Sequence, residues 1–162
     1  MNFITAVFNN LMNTVFNTKR LGNQDVPLFQ KLIHLFGEVF EMEDLLMPSA
    51  SYLLKLLEKP DFFAYVILAG NEIAGGLTAY QLTTYYNEGA EIYIYDIAIK
   101  PAFQRQGLGR QLLASLKEYC KHNSIRVMFV EAAAADEHAV EFYHATGGNA
   151  ENVIHFNYYL VQ

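Results

Sequence analysis

The chain has one cysteine, no tryptophan and four prolines in 162 residues. A lone thiol rules out an intrachain disulfide, and the expected compartment is therefore reducing and cytoplasmic. Cys120 falls on the apolar side of a helical repeat, so it reads as a buried inert thiol and not as a nucleophile. No run of about 18 uninterrupted apolar residues occurs, so no membrane span is expected. A signal peptide needs an early positive charge before a continuous apolar stretch. The first cations here are Lys19 and Arg20, and secretion is not expected. Charged residues are only 17% of the chain, with a net charge of −6. That balance disfavours nucleic acid and anionic membrane as partners and suits a cationic substrate. His34, His122, His138, His144 and His155 show no metal-ligand spacing, so no metal is expected.

What is present is an apolar chain of one-domain size, large enough to bury most of its apolar surface. At the start, Phe3, Ile4, Val7, Phe8, Leu11, Met12, Val15 and Phe16 recur at helical spacing, with asparagines filling much of the remainder. The reading is an amphipathic helix within residues 1–18, packed on the domain or on a second subunit. A disordered tail from a wrongly included upstream start is the alternative. A short helix with an asparagine polar face is marginal alone. A homodimer with this helix at or near an apolar contact is therefore expected.

From residue 19 onward the pattern reads as a second segment extending to 162. Asp25-Val26-Pro27 opens a helix running to about Phe40, with Phe29, Leu32, Ile33, Phe36 and Phe40 inward. Ser49 or Ser51 caps a second helix, stopped by Pro60. Phe62–Ala69, Ile73–Thr83 and Glu91–Ile99 read as a three-stranded antiparallel meander. A helix from Leu108, a strand over Arg126–Ala132, a helix over Asp136–Ala145 and a last strand over Val153–Leu160 complete the order.

The stretch Gln104-Arg105-Gln106-Gly107-Leu108-Gly109 lies where the third meander strand gives way to a helix. Such a turn aims orphan helix N–H groups into one small volume, where the helix dipole favours an anion such as a pyrophosphate. Gly107 and Gly109 let the backbone approach phosphates closely, and Arg105 and Arg110 add positive charge. A Walker loop would need Lys-Ser/Thr where Arg110-Gln111 stands. A dinucleotide fingerprint would need a third glycine where Leu112 stands.

The remaining pattern, Q-R-x-G-x-G after a strand ending Ile97-Ala98-Ile99, resembles the coenzyme A pyrophosphate loop of the GNAT acyltransferase superfamily. The element order after about residue 20 resembles that family as well. The resemblance implies an α/β fold with a central, mostly antiparallel mixed sheet, splayed at the acetyl-coenzyme A site and flanked by helices. It implies that the strands at Glu91–Ile99 and Arg126–Ala132 part at one end and admit pantetheine, with acetyl-coenzyme A as cosubstrate. The contacts it assigns are Ile97, Ala98 and Ile99, then Gln104, Arg105, Gln106, Gly107, Leu108, Gly109 and Arg110, with Tyr143. Within the superfamily, Glu91–Ala98, Leu35-Phe36-Gly37-Glu38, Ala139-Val140-x-x-Tyr143 and His155-Phe156 resemble the gentamicin-class aminoglycoside 3-N-acetyltransferases. The chain departs from that pattern at Ala133, where the family has an acidic residue, and at Tyr85 and Tyr86, where a more charged loop is expected. Both places would border the acceptor.

The chemistry asks for the same residues. An alkylammonium must lose a proton before its nitrogen attacks a thioester, so a carboxylate is useful both to hold the cation and to receive the proton. Asp96 stands in an apolar, aromatic strand, where a charge is costly unless it is paired or faces a cleft. It is the first choice for this carboxylate, and Glu91 is the second. Strict alternation puts Glu91, Tyr93 and Tyr95 on one face and Asp96 on the other, with Ile92 and Ile94, unless a bulge intervenes. Tyr143 is the candidate general acid for the leaving thiolate, with a core tyrosine as the bland alternative. The N–H of Ile97 or Ile99 is the candidate oxyanion donor. The expected reaction is direct acetyl transfer to a primary amine of a cationic small molecule. Peptide or protein N-acetylation, and a catalytically silent coenzyme A-binding module, share the cofactor half of the pattern.

Overall fold

The computed structural model describes residues 15–160. Its elements are β1 (Phe16–Arg20), α1 (Val26–Val39), α2 (Ala50–Leu57), β2 (Phe62–Ala69), β3 (Glu72–Thr83), β4 (Ala90–Ile99), a 3-10 turn (Pro101–Phe103), α3 (Leu108–His122), β5 (Val127–Val130) and α4 (Glu137–Ala145). The strands form one sheet in the order β1-β2-β3-β4-β5. The first three pairings are antiparallel and β4–β5 is parallel, with α3 as the crossover a parallel pair requires. The chain divides into two compact units, one ending at Val130 and the other starting at Glu131.

Three expectations change. Phe16, placed in a helix by its spacing, pairs with Ala69 as the first residue of β1, which runs through to Arg20. The rest of the expected N-terminal helix lies outside the described residues. The last strand, expected over Val153–Leu160, does not form. Period-2 apolar spacing makes a strand only where a ladder partner exists, and residues 149–160 have none among the described residues. Phe40, expected inward, caps the end of α1 and is 39% exposed, while Leu35 takes the core position beside Phe36.

Both faces of the first unit's sheet are apolar, as β2 shows by being buried along nearly its whole length. On one face, α1 and α2 bring Phe29, Leu32, Leu35, Phe36 and Leu53 onto Phe62, Ala64, Val66 and Ala98. Gly76 lies under this layer. A Cβ there would run into the Leu32 side chain and the Tyr65 carbonyl, so glycine lets α1 sit close on the sheet. On the other face, α3 packs on β2, β3 and β4, burying Leu112, Leu116 and Cys120. The Phe63 and Tyr119 rings meet there at 4.7 Å. Burial holds the Cys120 thiol pKa up, so the thiolate is disfavoured.

In the second unit, the Asp136 carboxylate accepts from the Ala139 N–H and caps α4. Gly147 follows the helix with φ +90°, and the N–H groups of Gly147 and Gly148 donate to His144 and Tyr143 carbonyls. That pairing is a Schellman ending, which a glycine permits.

Candidate active site

The site begins with a defect in β4. Thr78 pairs with Asp96, but Ala79 pairs with Ile94, so Tyr95 is an extra residue opposite the β3 ladder. Such a bulge bends and twists the strand and breaks its alternation. Before it, Ile92 and Ile94 are buried on the α3 side. After it, Ala98 belongs to the α1–α2 core. Asp96 is therefore moved off the Ile92–Ile94 face and joins Tyr93 and Tyr95, the face it would lack under strict alternation.

Rings surround it there. Tyr80 on β3 meets Tyr95 at 5.8 Å and Phe62 at 5.1 Å, and Tyr95 meets Tyr93 at 5.9 Å. Phe129 on β5 stacks on Tyr93 at 5.1 Å. The Thr78 hydroxyl donates to Asp96 Oδ2 at 3.4 Å. Half-burial raises the Asp96 carboxyl pKa above the usual carboxylate value, and the Thr78 hydrogen bond offsets part of that rise. Burial raises the Tyr80 hydroxyl too, with the nearby Tyr95, Tyr52 and Asp96 adding to it. Glu91 lies further along the strand. It accepts a 2.6 Å hydrogen bond from the Tyr86 hydroxyl, which ties the β3–β4 loop to β4. The result is an aromatic surface carrying two carboxylates, which attracts a cation through ring quadrupoles as well as charge. Tyr80, Tyr93, Tyr95, Phe129 and Thr78 were not singled out by sequence as site residues. The run Tyr93-Ile94-Tyr95-Asp96 held the signal, hidden by the bulge.

Beside this face the sheet opens. Parallel pairing of β4 with β5 covers only Glu91–Ile94 and stops. Lys100 N–H donates to the Ala74 carbonyl on β3. Backbone groups alternate along a strand, so Ala98 points toward β3 while Ile97 and Ile99 point to the open side. The Ile99 carbonyl is taken by Gln104 Nε2 at 3.0 Å, which anchors the next loop. Ile97 has no strand partner on that side among the described residues.

The loop then prepares the start of α3. Arg105 has φ +61° and Gly107 φ +80°, so two left-handed residues fold Gln104–Gly107 against the helix start. Gly107 is the N-cap, with no capping side chain, and no acidic residue occupies the first turn. The first intrahelical bond runs from Gln111 N–H to the Gly107 carbonyl at 3.0 Å. The N–H groups of Leu108 and Gly109 thus have no carbonyl within the helix. Around Gly107 nothing lies within 4 Å of a Cβ position, so the approach is clear. Open strand backbone next to an uncapped helix start fits a ligand with an amide-bearing arm and a pyrophosphate, as coenzyme A has.

Tyr143 lies in the second unit, on α4, half-buried with its ring 5.2 Å from Phe142. Among the described residues no cluster of three metal-ligating side chains occurs, and no helix is long and apolar enough to cross a membrane.

This combination of mixed sheet, parted strands and glycine-led helix defines an acyl-coenzyme A transferase fold. The chain belongs to the acetyltransferase (GNAT) family, which matches residues 29–147 and whose members use acetyl-coenzyme A. Among solved structures, the aminoglycoside acetyltransferase meta-AAC0020 from an uncultured soil metagenomic sample, in complex with sisomicin, is 38% identical. It superposes with a TM-score of 0.88 over 90% of this chain and 97% of that one. A second aminoglycoside acetyltransferase from such a sample, HMB0005, is 36% identical with a TM-score of 0.85, over 91% of this chain and 99% of that one. The ribosomal protein bS18-alanine N-acetyltransferase of Escherichia coli (strain K12) is 36% identical over 69 residues, or 43% of this chain. The matched stretch spans 46% of that curated relative.

Proposed function

We propose that the protein is an N-acetyltransferase that moves an acetyl group from acetyl-coenzyme A to a primary amine of a cationic small molecule. The acceptor class is aminoglycosides, and the 3-amino group is the position that the sequence resemblance implies. The observation carrying this reading is the bulge at Tyr95, which sets Asp96 among tyrosines beside an open strand edge. The similarity to two aminoglycoside acetyltransferases over nearly their whole chains supports the acceptor class.

When bound, acetyl-coenzyme A supplies the acetyl group as a reactive thioester. The amides that open α3 hold its pyrophosphate with Arg105 and Arg110, and Ile97 and Ile99 take its amide arm as an added strand. Asp96 holds the acceptor ammonium and receives its proton, directly or through water. Its raised pKa makes it a stronger base than an exposed carboxylate. Glu91 adds a second anionic contact for a polycation. The N–H of Ile97 or Ile99 donates to the carbonyl oxygen as charge builds there. Tyr143 donates a proton to the departing sulfur. In this reading the enzyme is a homodimer.

One expected result follows from Thr78. Its hydrogen bond lowers the Asp96 pKa, so Thr78→Val raises that pKa further and moves the acid limb of kcat/KM to higher pH. A pH–rate profile of the variant checks the shift, and an unmoved limb would detach Asp96 from the proton transfer.

The partial match to a ribosomal-protein alanine acetyltransferase favours a second reading, a peptide N-terminus as acceptor. Free thiol followed with acetyl-coenzyme A and either an aminoglycoside or an alanine-terminated peptide separates the two. The account expects kcat/KM for the aminoglycoside to be the larger. The reverse order would transfer the site to peptides, and no thiol with either would leave a coenzyme A-binding module.

A further inference from the structure

Glu91 is a carboxylate held by a phenol and not by a cation. In the part of β4 before the bulge, Ile92 and Ile94 are buried on the α3 side, so Glu91 shares the opposite face with Tyr93 and the aromatic surface of the site. It is half-buried, and no lysine or arginine pairs with it among the described residues. Its partner is the Tyr86 hydroxyl, which donates to Oε1 at 2.6 Å, a length typical of a charge-assisted bond. Oε2 is left to accept from a ligand. The same hydrogen bond raises the Tyr86 pKa above its usual value, so the phenol keeps its proton and stays a donor.

The loop that carries Tyr86 is braced. The Thr84 N–H donates to the Gly89 carbonyl at 3.0 Å, and the Thr84 hydroxyl donates to the Asn87 carbonyl at 3.2 Å. The Tyr85 ring meets the Tyr86 ring edge-on at 5.6 Å. Glu91 is thus fixed from the loop end of the ladder, while Asp96 lies further along it. Asp96 pairs with Thr78 and Glu91 with Leu82, four β3 residues apart. At about 3.3 Å per residue, that is roughly 13 Å along the sheet. Such a spacing suits ammonium groups on successive amino-sugar rings better than two amines of one ring.

We propose that Tyr86 is a positioning residue for the acceptor: its hydroxyl fixes Glu91 as a second ammonium subsite, so that amines spread over several amino-sugar rings are favoured over a single aminated ring. The proposal rests on the reading of Asp96 as the carboxylate that holds the reacting amine, and adds to it the means by which a remote ring is gripped. Without the hydroxyl, Glu91 keeps its charge but not its fixed orientation, and ordering a loose side chain at each binding event weakens acceptor affinity. The effect falls on binding and not on chemistry, because a remote ammonium is held equally in the ground and transition states.

Steady-state kinetics of the unmodified enzyme and of Tyr86→Phe, with gentamicin and with 2-deoxystreptamine as acceptors, test the proposal. In gentamicin two amino sugars flank the deoxystreptamine ring, and the smaller molecule is that ring alone. Tyr86→Phe should raise KM for gentamicin roughly three- to tenfold with little change in kcat, as the loss of uniform binding does, and should leave both constants for 2-deoxystreptamine unmoved. In a Glu91→Gln background, Tyr86→Phe should add nothing further, whereas a purely structural role in the loop would raise KM there too. An unchanged or lowered KM for gentamicin, or additive effects of the two substitutions, would overturn the proposal. Absence of acetyl transfer to gentamicin by the unmodified enzyme would instead count against the acceptor reading itself. Calorimetric titration with gentamicin then decides the role of Tyr86: weaker binding to Tyr86→Phe supports it, and equal binding overturns it.

Discussion

Gly107→Asp abolishes coenzyme A binding while leaving the sheet folded. Gly107 is the N-cap of α3 at φ +80°, and aspartate is among the few residues that tolerate a left-handed conformation. The new carboxylate occupies space beside the amides that a pyrophosphate would use, where no atom lies within 4 Å of a Cβ position. It places a negative charge where the helix dipole and Arg105 otherwise attract one. A left-handed backbone costs a non-glycine residue about 1–2 kcal/mol, and aspartate is among the residues that bear it best, so the fold is kept. Calorimetric titration with coenzyme A, beside a melting curve, is the check. Lost binding at a near-constant melting temperature is expected, and near-normal affinity would move the pyrophosphate elsewhere.

Asp96→Asn lowers turnover on a cationic acceptor by roughly 10²-fold or more, the range for a positioned acid–base group. The same change does not lower stability at neutral pH. Folding raises the Asp96 pKa, so between the unfolded value of 3.8 and the folded value the native state holds more protons than the unfolded one. Stability therefore falls as pH rises through that window, and the cost persists at neutral pH. Asparagine removes that cost while keeping an acceptor for Thr78. A melting temperature equal to or above that of the unmodified protein separates a catalytic loss from a folding defect. Tyr143→Phe should also reduce turnover with little change in coenzyme A affinity, because it removes a proton donor and no phosphate contact.

The helices and the meander were legible because each has strong local punctuation. Pro27 sits at the start of α1, Ser49 caps α2 through the Tyr52 N–H, and Gly70 turns β2 into β3 at φ +61°. The turn that leads into α3 was legible for the same reason, since Gly107 permits the left-handed N-cap found there. The face of Asp96 was not, because alternation cannot reveal an inserted residue. Only the β3 register, with Thr78 on Asp96 and Ala79 on Ile94, shows that Tyr95 is extra. The aromatic surround was missed with it: Tyr80 and Phe129 come from other strands and are brought beside β4 by pairing alone. Period-2 spacing also overstated Val153–Leu160, which has the side-chain pattern of a strand without a ladder among the described residues. Spacing likewise drew Phe16 into a helix, although long-range pairing with Ala69 holds it in β1.

The central claim is that the carboxylate on the bulged strand takes the proton of a cationic amine. The measurement that tests it most directly is the pH dependence of kcat/KM for one aminoglycoside, taken on the unmodified enzyme and on Asp96→Asn at saturating acetyl-coenzyme A. The account predicts an acid limb in the unmodified enzyme above the ordinary carboxylate value of 3.8, activity rising as Asp96 ionises. It predicts that this limb is absent from the variant, whose activity is low throughout. The same limb in both proteins, at similar rates, would contradict it.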